Sequence, residues 1–87
     1  MNGERLKYCV YAIESEITGR VYIGQTDSLQ RRVEEHNKGR VKATKHEGPW
    51  KIFAIEYFNE RSQARWFENC LKRSKGKRSD WLRSKKV

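Results

Sequence analysis

The longest unbroken apolar run in the chain, residues 8–13 (Tyr-Cys-Val-Tyr-Ala-Ile), is only six residues long. A membrane helix needs roughly 18 such residues, and an amphipathic helix would interrupt them with polar positions, so the run reads as a strand. Residues 14–19 follow as a turn with Thr18-Gly19 at its tip, and residues 20–24 as a second strand, which together predict a β-hairpin. The supply of core formers is small: Leu, Ile, Val and Phe make up 17 of 87 residues against a net charge of +9. Three Trp and four Tyr add buriable area. The expectation is one small domain, residues 1–87, with a thin core and no membrane span.

Residues 1–7 lack the apolar stretch and small-residue cleavage site of a secretory leader, so a cytoplasmic location is expected. Cys9 and Cys70 sit inside apolar patterns 61 positions apart and read as small buried hydrophobes kept reduced. Neither is closely paired with the other, with His36 or with His46, as a zinc site would require.

Further along, Asp27 or Ser28 can cap a helix that runs to about Lys38 and is stopped by Gly39. Residues 40–48 are a polar loop ending at Pro49. Residues 51–58 are apolar on both parities and predict a strand covered on both faces. Asn59 or Ser62 then opens a helix of about three turns, and Gly76 separates it from a short last helix near residues 79–85.

Polar groups interrupt both helical stripes. Leu29, Arg32, Val33 and His36 share one face of the first helix, as do Ala64, Phe67, Glu68 and Leu71 of the second. Charged groups are costly to bury unless paired or used. Two readings follow: an Arg32–Glu68 structural ion pair with His36 as a hydrogen-bonded bystander, or a site for phosphodiester hydrolysis. Tyr11 and Tyr22 lie in the paired hairpin strands, where phenols usually serve packing, and Gly24 leaves an open floor beside Tyr22 for a ligand. Residues 72–87 hold eight basic residues and one acid, which concentrates +7 there. Such an end attracts a polyanion, nucleic acid above all, and Trp81 and Leu82 within it suggest that it docks on the domain.

The set Cys9-Val10-Tyr11, Tyr22-Ile23-Gly24, Arg32 ten residues after Tyr22, His36 one turn on, and Glu68 in Ala64-Arg65-Trp66-Phe67-Glu68 resembles the GIY-YIG endonuclease domain. The resemblance covers nearly the whole chain. It is similar to the N-terminal nuclease domain of the excinuclease C subunit, and residues 42–50 and 72–77 look most like small stand-alone bacterial members. It implies an α+β fold, a small three-stranded antiparallel sheet flanked by helices in the order β-β-α-β-α-α. It also implies a metal-dependent endonuclease acting on DNA, structure-selective and linked to repair or recombination, with RNA kept open as a substrate. Cys9 stands where the family usually has glycine, and Ser79-Asp80 lies where it often has asparagine.

On this resemblance Glu68 holds Mg²⁺ or Mn²⁺, Arg32 clamps the phosphate, Tyr22 orients water or phosphate, and Tyr11 is the general base with His36 supporting it. A phenol with a reference pKa near 10 needs acidification for that role, whereas His36 is matched to neutral pH unaided. Lys45, Lys72, Lys75 and Lys77 are expected to hold the flanking backbone. A homodimer or a partner protein is left to supply target specificity. The alternatives are a nucleic-acid-binding module of the same fold without cleavage, and a basic RNA or ribosomal protein.

Overall fold

The short apolar run forms the middle strand of the sheet. In the computed structural model, which describes residues 7–85, β1 (Tyr8–Ser15) lies between β2 (Val21–Thr26) and β3 (Trp50–Phe58), and both pairings are antiparallel. Helices α1 (Leu29–Asn37), α2 (Arg61–Arg73) and α3 (Lys75–Lys85) complete the order β-β-α-β-α-α. Every residue from Cys9 to Ile13 is buried, because the middle strand has sheet neighbours on both sides and side chains packed over both faces.

The strand covered on both faces is therefore β1, and the expectation placed on residues 51–58 is corrected. β3 is an edge strand that leaves Ile52 and Tyr57 46% and 48% exposed. Its apolar residues on both parities have another cause: the β1–β3 register shifts between Ala12 and Ile13, so Ala12 faces Ala54 but Ile13 faces Ile52. A bulge of this kind inserts one residue and reverses which parity points inward.

The two sheet faces carry different helices. Val10, Ala12, Ile23 and Ala54 pack against Ala64, Leu71 and Trp81 of α2 and α3. On the other face Tyr11, Ile13 and Trp50 pack with Tyr22 and with Leu29 and Val33 of α1. Phe67 bridges outward from the first cluster, its ring 5.4 Å from Phe58 and 5.5 Å from Trp81.

Local chemistry sets the boundaries. In the hairpin turn, Ser15 Oγ accepts from the backbone N–H groups of Ile17 and Thr18 and donates to the Glu47 carbonyl. Gly19 sits at φ +78°, the left-handed region that favours glycine. Ser28 is the N-cap of α1, but its side chain makes no cap bond, and Gly39, at φ +75°, follows the helix end as expected. The N-cap of α2 is Glu60, neither Asn59 nor Ser62: Glu60 and Gln63 bond each other's backbone N–H groups in a capping box. The break before α3 falls at Ser74, not Gly76. Ser74 is extended, and its Oγ accepts from the Lys77 N–H, so a hydroxyl cap starts α3 and Gly76 lies inside the helix.

The basic end does dock. Trp81 is buried, its indole Nε1 donates to Glu56 Oε1 at 3.2 Å, and Lys85 Nζ pairs with the same carboxylate at 3.0 Å. Cys9 is buried and Cys70 half-buried, both as free thiols. Among the described residues, no helix is long and apolar enough to cross a membrane.

Candidate active site

Strand pairing creates the floor of the site. Tyr11 on β1 lies directly opposite Gly24 on β2, and Ile13 lies opposite Tyr22. Because side chains alternate along a strand, Tyr11, Tyr22 and Gly24 share one face. The open floor expected at Gly24 is filled by the Tyr11 ring: a Cβ at position 24 would stand 2.5 Å from the Tyr11 hydroxyl oxygen. Glycine is needed there for space, so that the phenol can lie across the neighbouring strand. The Tyr11 and Tyr22 ring centroids are 6.5 Å apart.

Helix α1 supplies the imidazole. His36 is the one buried residue of that helix, 1% exposed, with its ring 5.0 Å from Tyr22, 5.8 Å from Tyr11 and 6.5 Å from Trp50, centroid to centroid. Its Nε2 is 2.8 Å from the Tyr11 hydroxyl and its Nδ1 is 2.7 Å from Thr44 Oγ1. Thr44 is completely buried although it lies in the polar stretch between α1 and β3. That stretch is tied down by its neighbours: Trp50 Nε1 donates to the Thr44 carbonyl, Asn37 bonds both backbone groups of Trp50, and Arg20 donates to the Ala43 carbonyl and pairs with Glu47.

Burial and charge shape the two titratable groups. Desolvation pushes the Tyr11 phenol up to about 12, with the charges of Tyr22 and Glu68 adding to it and the adjacent Arg32 opposing it. Desolvation, helped by the positive charge of Arg32 and opposed by Glu35, pulls His36 down to about 4. At neutral pH both groups are uncharged. The Tyr11 hydroxyl beside it, followed by Glu35, holds the Arg32 guanidinium even more firmly charged than usual. Arg32 is half-exposed and donates to Glu35 Oε1 at 3.0 Å, which leaves donors of its fork free.

Glu68 arrives from the other side of the sheet. Its helix packs on the face opposite α1, so the two polar stripes do not meet within one layer. Its carboxylate is 14% exposed and bonded to Lys72 Nζ at 2.8 Å, while that ammonium lies 5.9 Å from the Tyr22 ring centroid. Lys72, with Tyr22, Val21, Ile23 and Arg78, lines a cleft of about 310 Å³ along β2. The site thus joins the two faces across the β2 edge. Among the described ion pairs, Arg32 meets Glu35 and Glu68 meets Lys72, so the structural Arg32–Glu68 bridge does not form.

Among the described residues no three or more His, Cys, Asp or Glu cluster as metal ligands. A single carboxylate suits Mg²⁺, which keeps most of its waters, and Glu68, paired here with the Lys72 ammonium, is the carboxylate that would hold it.

Of the expected backbone-binding lysines, Lys72 stands in the cleft; Lys45 is exposed next to Thr44, and Lys75 and Lys77 are exposed on the first turn of α3. Two residues escaped the sequence reading. Arg78 is held in the cleft by donating to the Leu71 carbonyl, and Thr44 meets His36 eight residues away. The run of basic residues around Arg78 was a signal for the first, whereas nothing in the polar stretch marked Thr44.

A phenol bonded to an imidazole beside an arginine, with a carboxylate across a strand edge, brings together a proton-transfer pair and a cation able to clamp a phosphoryl group. The family model of the GIY-YIG catalytic domain matches residues 7–81, and the chain belongs to that family. Similar proteins include the human structure-specific endonuclease subunit SLX1, 38% identical over 52 residues, covering 55% of this chain and 19% of that protein. The Schizosaccharomyces pombe structure-specific endonuclease subunit slx1 is 41% identical over 56 residues, covering 58% of this chain and 21% of its own length. The chain thus spans about a fifth of these relatives. The solution NMR structure of the UPF0213 protein BH0048 from Bacillus halodurans is also similar, with a TM-score of 0.54 and 28% identity over 88% of this chain and 82% of that one.

Proposed function

We propose that this chain is a metal-dependent endonuclease that hydrolyses phosphodiester bonds in DNA. The observation that carries the reading is the buried Tyr11–His36 pair, 2.8 Å apart, beside Arg32 and within the electrostatic reach of Glu68. Arg32 binds the phosphate with its planar fork and stabilises the charge that builds on the phosphorus oxygens. Tyr22, facing the cleft, orients water or phosphate. Tyr11 takes the proton of the attacking water while passing its own to His36 Nε2.

At rest that transfer is uphill, because the phenol holds its proton and the imidazole refuses one. An anionic phosphate on Arg32 offsets the smaller of the two causes that depress His36, while its burial, the larger, remains. Substrate binding thereby lowers part of the barrier to the transfer. A divalent cation on Glu68 would supply charge neutralisation for the departing 3′ oxygen.

The two relatives described as structure-specific endonuclease subunits support branched DNA as the substrate class and a partner protein or a second copy as the source of target choice. A role in repair or recombination and a cytoplasmic location belong to the same proposal. A binding-only module of this fold is the competing reading, favoured by the Lys72 ammonium that fills the Glu68 carboxylate.

The test is cleavage of labelled branched, nicked, duplex and single-stranded DNA, and RNA, with Mg²⁺ or Mn²⁺, comparing wild type with Glu68→Gln. Thermal unfolding checks that the variant is folded. Metal-dependent cutting that Glu68→Gln abolishes supports the proposal. Binding without cutting on every substrate supports the module, and equal cutting by both proteins removes Glu68 from the chemistry.

A further inference from the structure

We infer that Thr44 is a positioning residue, which fixes the His36 tautomer so that Nε2 is the proton acceptor facing Tyr11. The inference rests on the proposed role of Tyr11 only for its kinetic consequence; the tautomer itself is a property of the folded chain.

The reasoning is a count of donors and acceptors. A neutral imidazole has one N–H and one lone pair, and the bond made by one nitrogen sets the role of the other. The Thr44 hydroxyl has one proton and two neighbours, His36 Nδ1 at 2.7 Å and, in a longer contact, the Val41 carbonyl at 3.4 Å. A carbonyl only accepts. If the Thr44 proton goes to Val41, its oxygen is free to accept from His36 Nδ1–H, and Nε2 presents a lone pair to the Tyr11 hydroxyl 2.8 Å away. Every buried donor in the chain Tyr11, His36, Thr44, Val41 then has an acceptor.

The opposite tautomer fails at Tyr11. Nε2–H would point at the phenol oxygen, whose one described side-chain partner is His36. The phenol proton would then have no acceptor in this cluster, and burying it unmet costs about 1–3 kcal/mol. The other groups facing His36 do not reverse this: the Tyr22 and Trp50 rings pack against it without a described bond to either nitrogen, and Glu35 is bonded to Arg32.

The direction of transfer follows. As the water O–H breaks and its proton joins the Tyr11 oxygen, the Tyr11 O–H breaks and its proton joins the Nε2 lone pair. The water oxygen bonds to phosphorus, the P–O bond to the leaving oxygen breaks with its electron pair going to that oxygen, and the oxygen takes a proton from solvent water as it departs. The imidazolium keeps Nδ1–H on Thr44, and its new proton returns to solvent through Tyr11 after product leaves. Without the Thr44 oxygen, Nδ1–H loses its acceptor, and that unmet donor offsets the unmet phenol proton of the other tautomer, so the two come close in energy.

The experiment is long-range ¹H–¹⁵N NMR of ¹⁵N-labelled protein at neutral pH, with His46→Gln used to assign the two histidines. Wild type and Thr44→Ser are expected to show His36 protonated at Nδ1 and bare at Nε2, while Thr44→Val shows Nε2 protonated in a large fraction of molecules. In cleavage assays Thr44→Val is expected to lose kcat by about 100-fold or more with KM unchanged, as a wrong tautomer does in other buried dyads, and Thr44→Ser to retain it. A wild-type His36 protonated at Nε2 overturns the inference, as does a Thr44→Val protein that keeps both wild-type tautomer and kcat. If Thr44→Val does not fold, the wild-type and Thr44→Ser spectra still decide. If wild type cuts no substrate, the spectra decide the tautomer while the nuclease reading fails separately.

Discussion

Replacing Gly24 by alanine should damage both stability and catalysis through one collision. The new Cβ would lie 2.5 Å from the Tyr11 oxygen, 2.7 Å from its Cζ and 3.1 Å from its Cε1, whereas unbonded heavy atoms rest at about 3.5 Å. The ring must withdraw by about 1 Å. It cannot withdraw freely, because Tyr11 is 1% exposed and its oxygen is bonded to His36. Overpacking and a weakened buried hydrogen bond together cost about 2–5 kcal/mol, against a total of about 4–13 kcal/mol for a domain of 87 residues. The midpoint of thermal unfolding should fall by about 10 °C or more, and cleavage should fall by about 100-fold from the displaced base alone. Circular dichroism melts and single-turnover cleavage give both numbers. In a Tyr11→Phe background the nearest contact and the His36 bond are already gone, so adding Gly24→Ala should cost less than it does in wild type. A Gly24→Ala protein that melts and cuts like wild type would refute the packing argument.

Three further outcomes are expected. His36 titrates near 4 when folded and near its ordinary 6.5 when unfolded, so the unfolded chain binds the proton first; urea midpoints should fall as pH drops from about 6.5 to 4, and His36→Gln should flatten that slope. Trp81→Ala removes the anchor of α3 and its bond to Glu56; a loss of about 3–5 kcal/mol in denaturant unfolding is expected, with trypsin cutting within residues 75–85 before the rest of the chain. Lys75→Ala with Lys77→Ala should lower the slope of log affinity against log salt by about 2, read by fluorescence anisotropy on labelled DNA, with kcat at saturating substrate unchanged.

Much of the fold was legible because local chemistry and final structure agree. The hairpin, α1 with its Gly39 stop, and α2 each have a period or a punctuating residue that owes nothing to distant contacts. Where the reading missed, a nonlocal cause had intervened. The two-parity pattern of residues 51–58 reported a bulge against β1, which only pairing creates. Ser74 took the break from Gly76 because a hydroxyl that caps the next helix stops α2 more firmly than a glycine inside the first turn of α3. The inward stripes pointed to Arg32, His36 and Glu68, but not to the placement of Arg32 and His36 on one face of the sheet and Glu68 on the other, nor to the half-exposure of Arg32.

The order of elements, the hairpin and the residue types available for phosphate chemistry were written in the sequence, since they depend on neighbours a few positions apart. What the tertiary structure decided was which of these groups touch. It set Tyr11 across Gly24, put β1 rather than β3 at the centre, brought Glu68 and Lys72 to the β2 edge, and buried Thr44 against His36. Those contacts join residues 13 and 25 positions apart on Tyr11's account, to Gly24 and His36, and 8 apart on His36's, to Thr44. No periodicity encodes such distances, because they arise only when the packing of helices on a sheet closes the chain on itself.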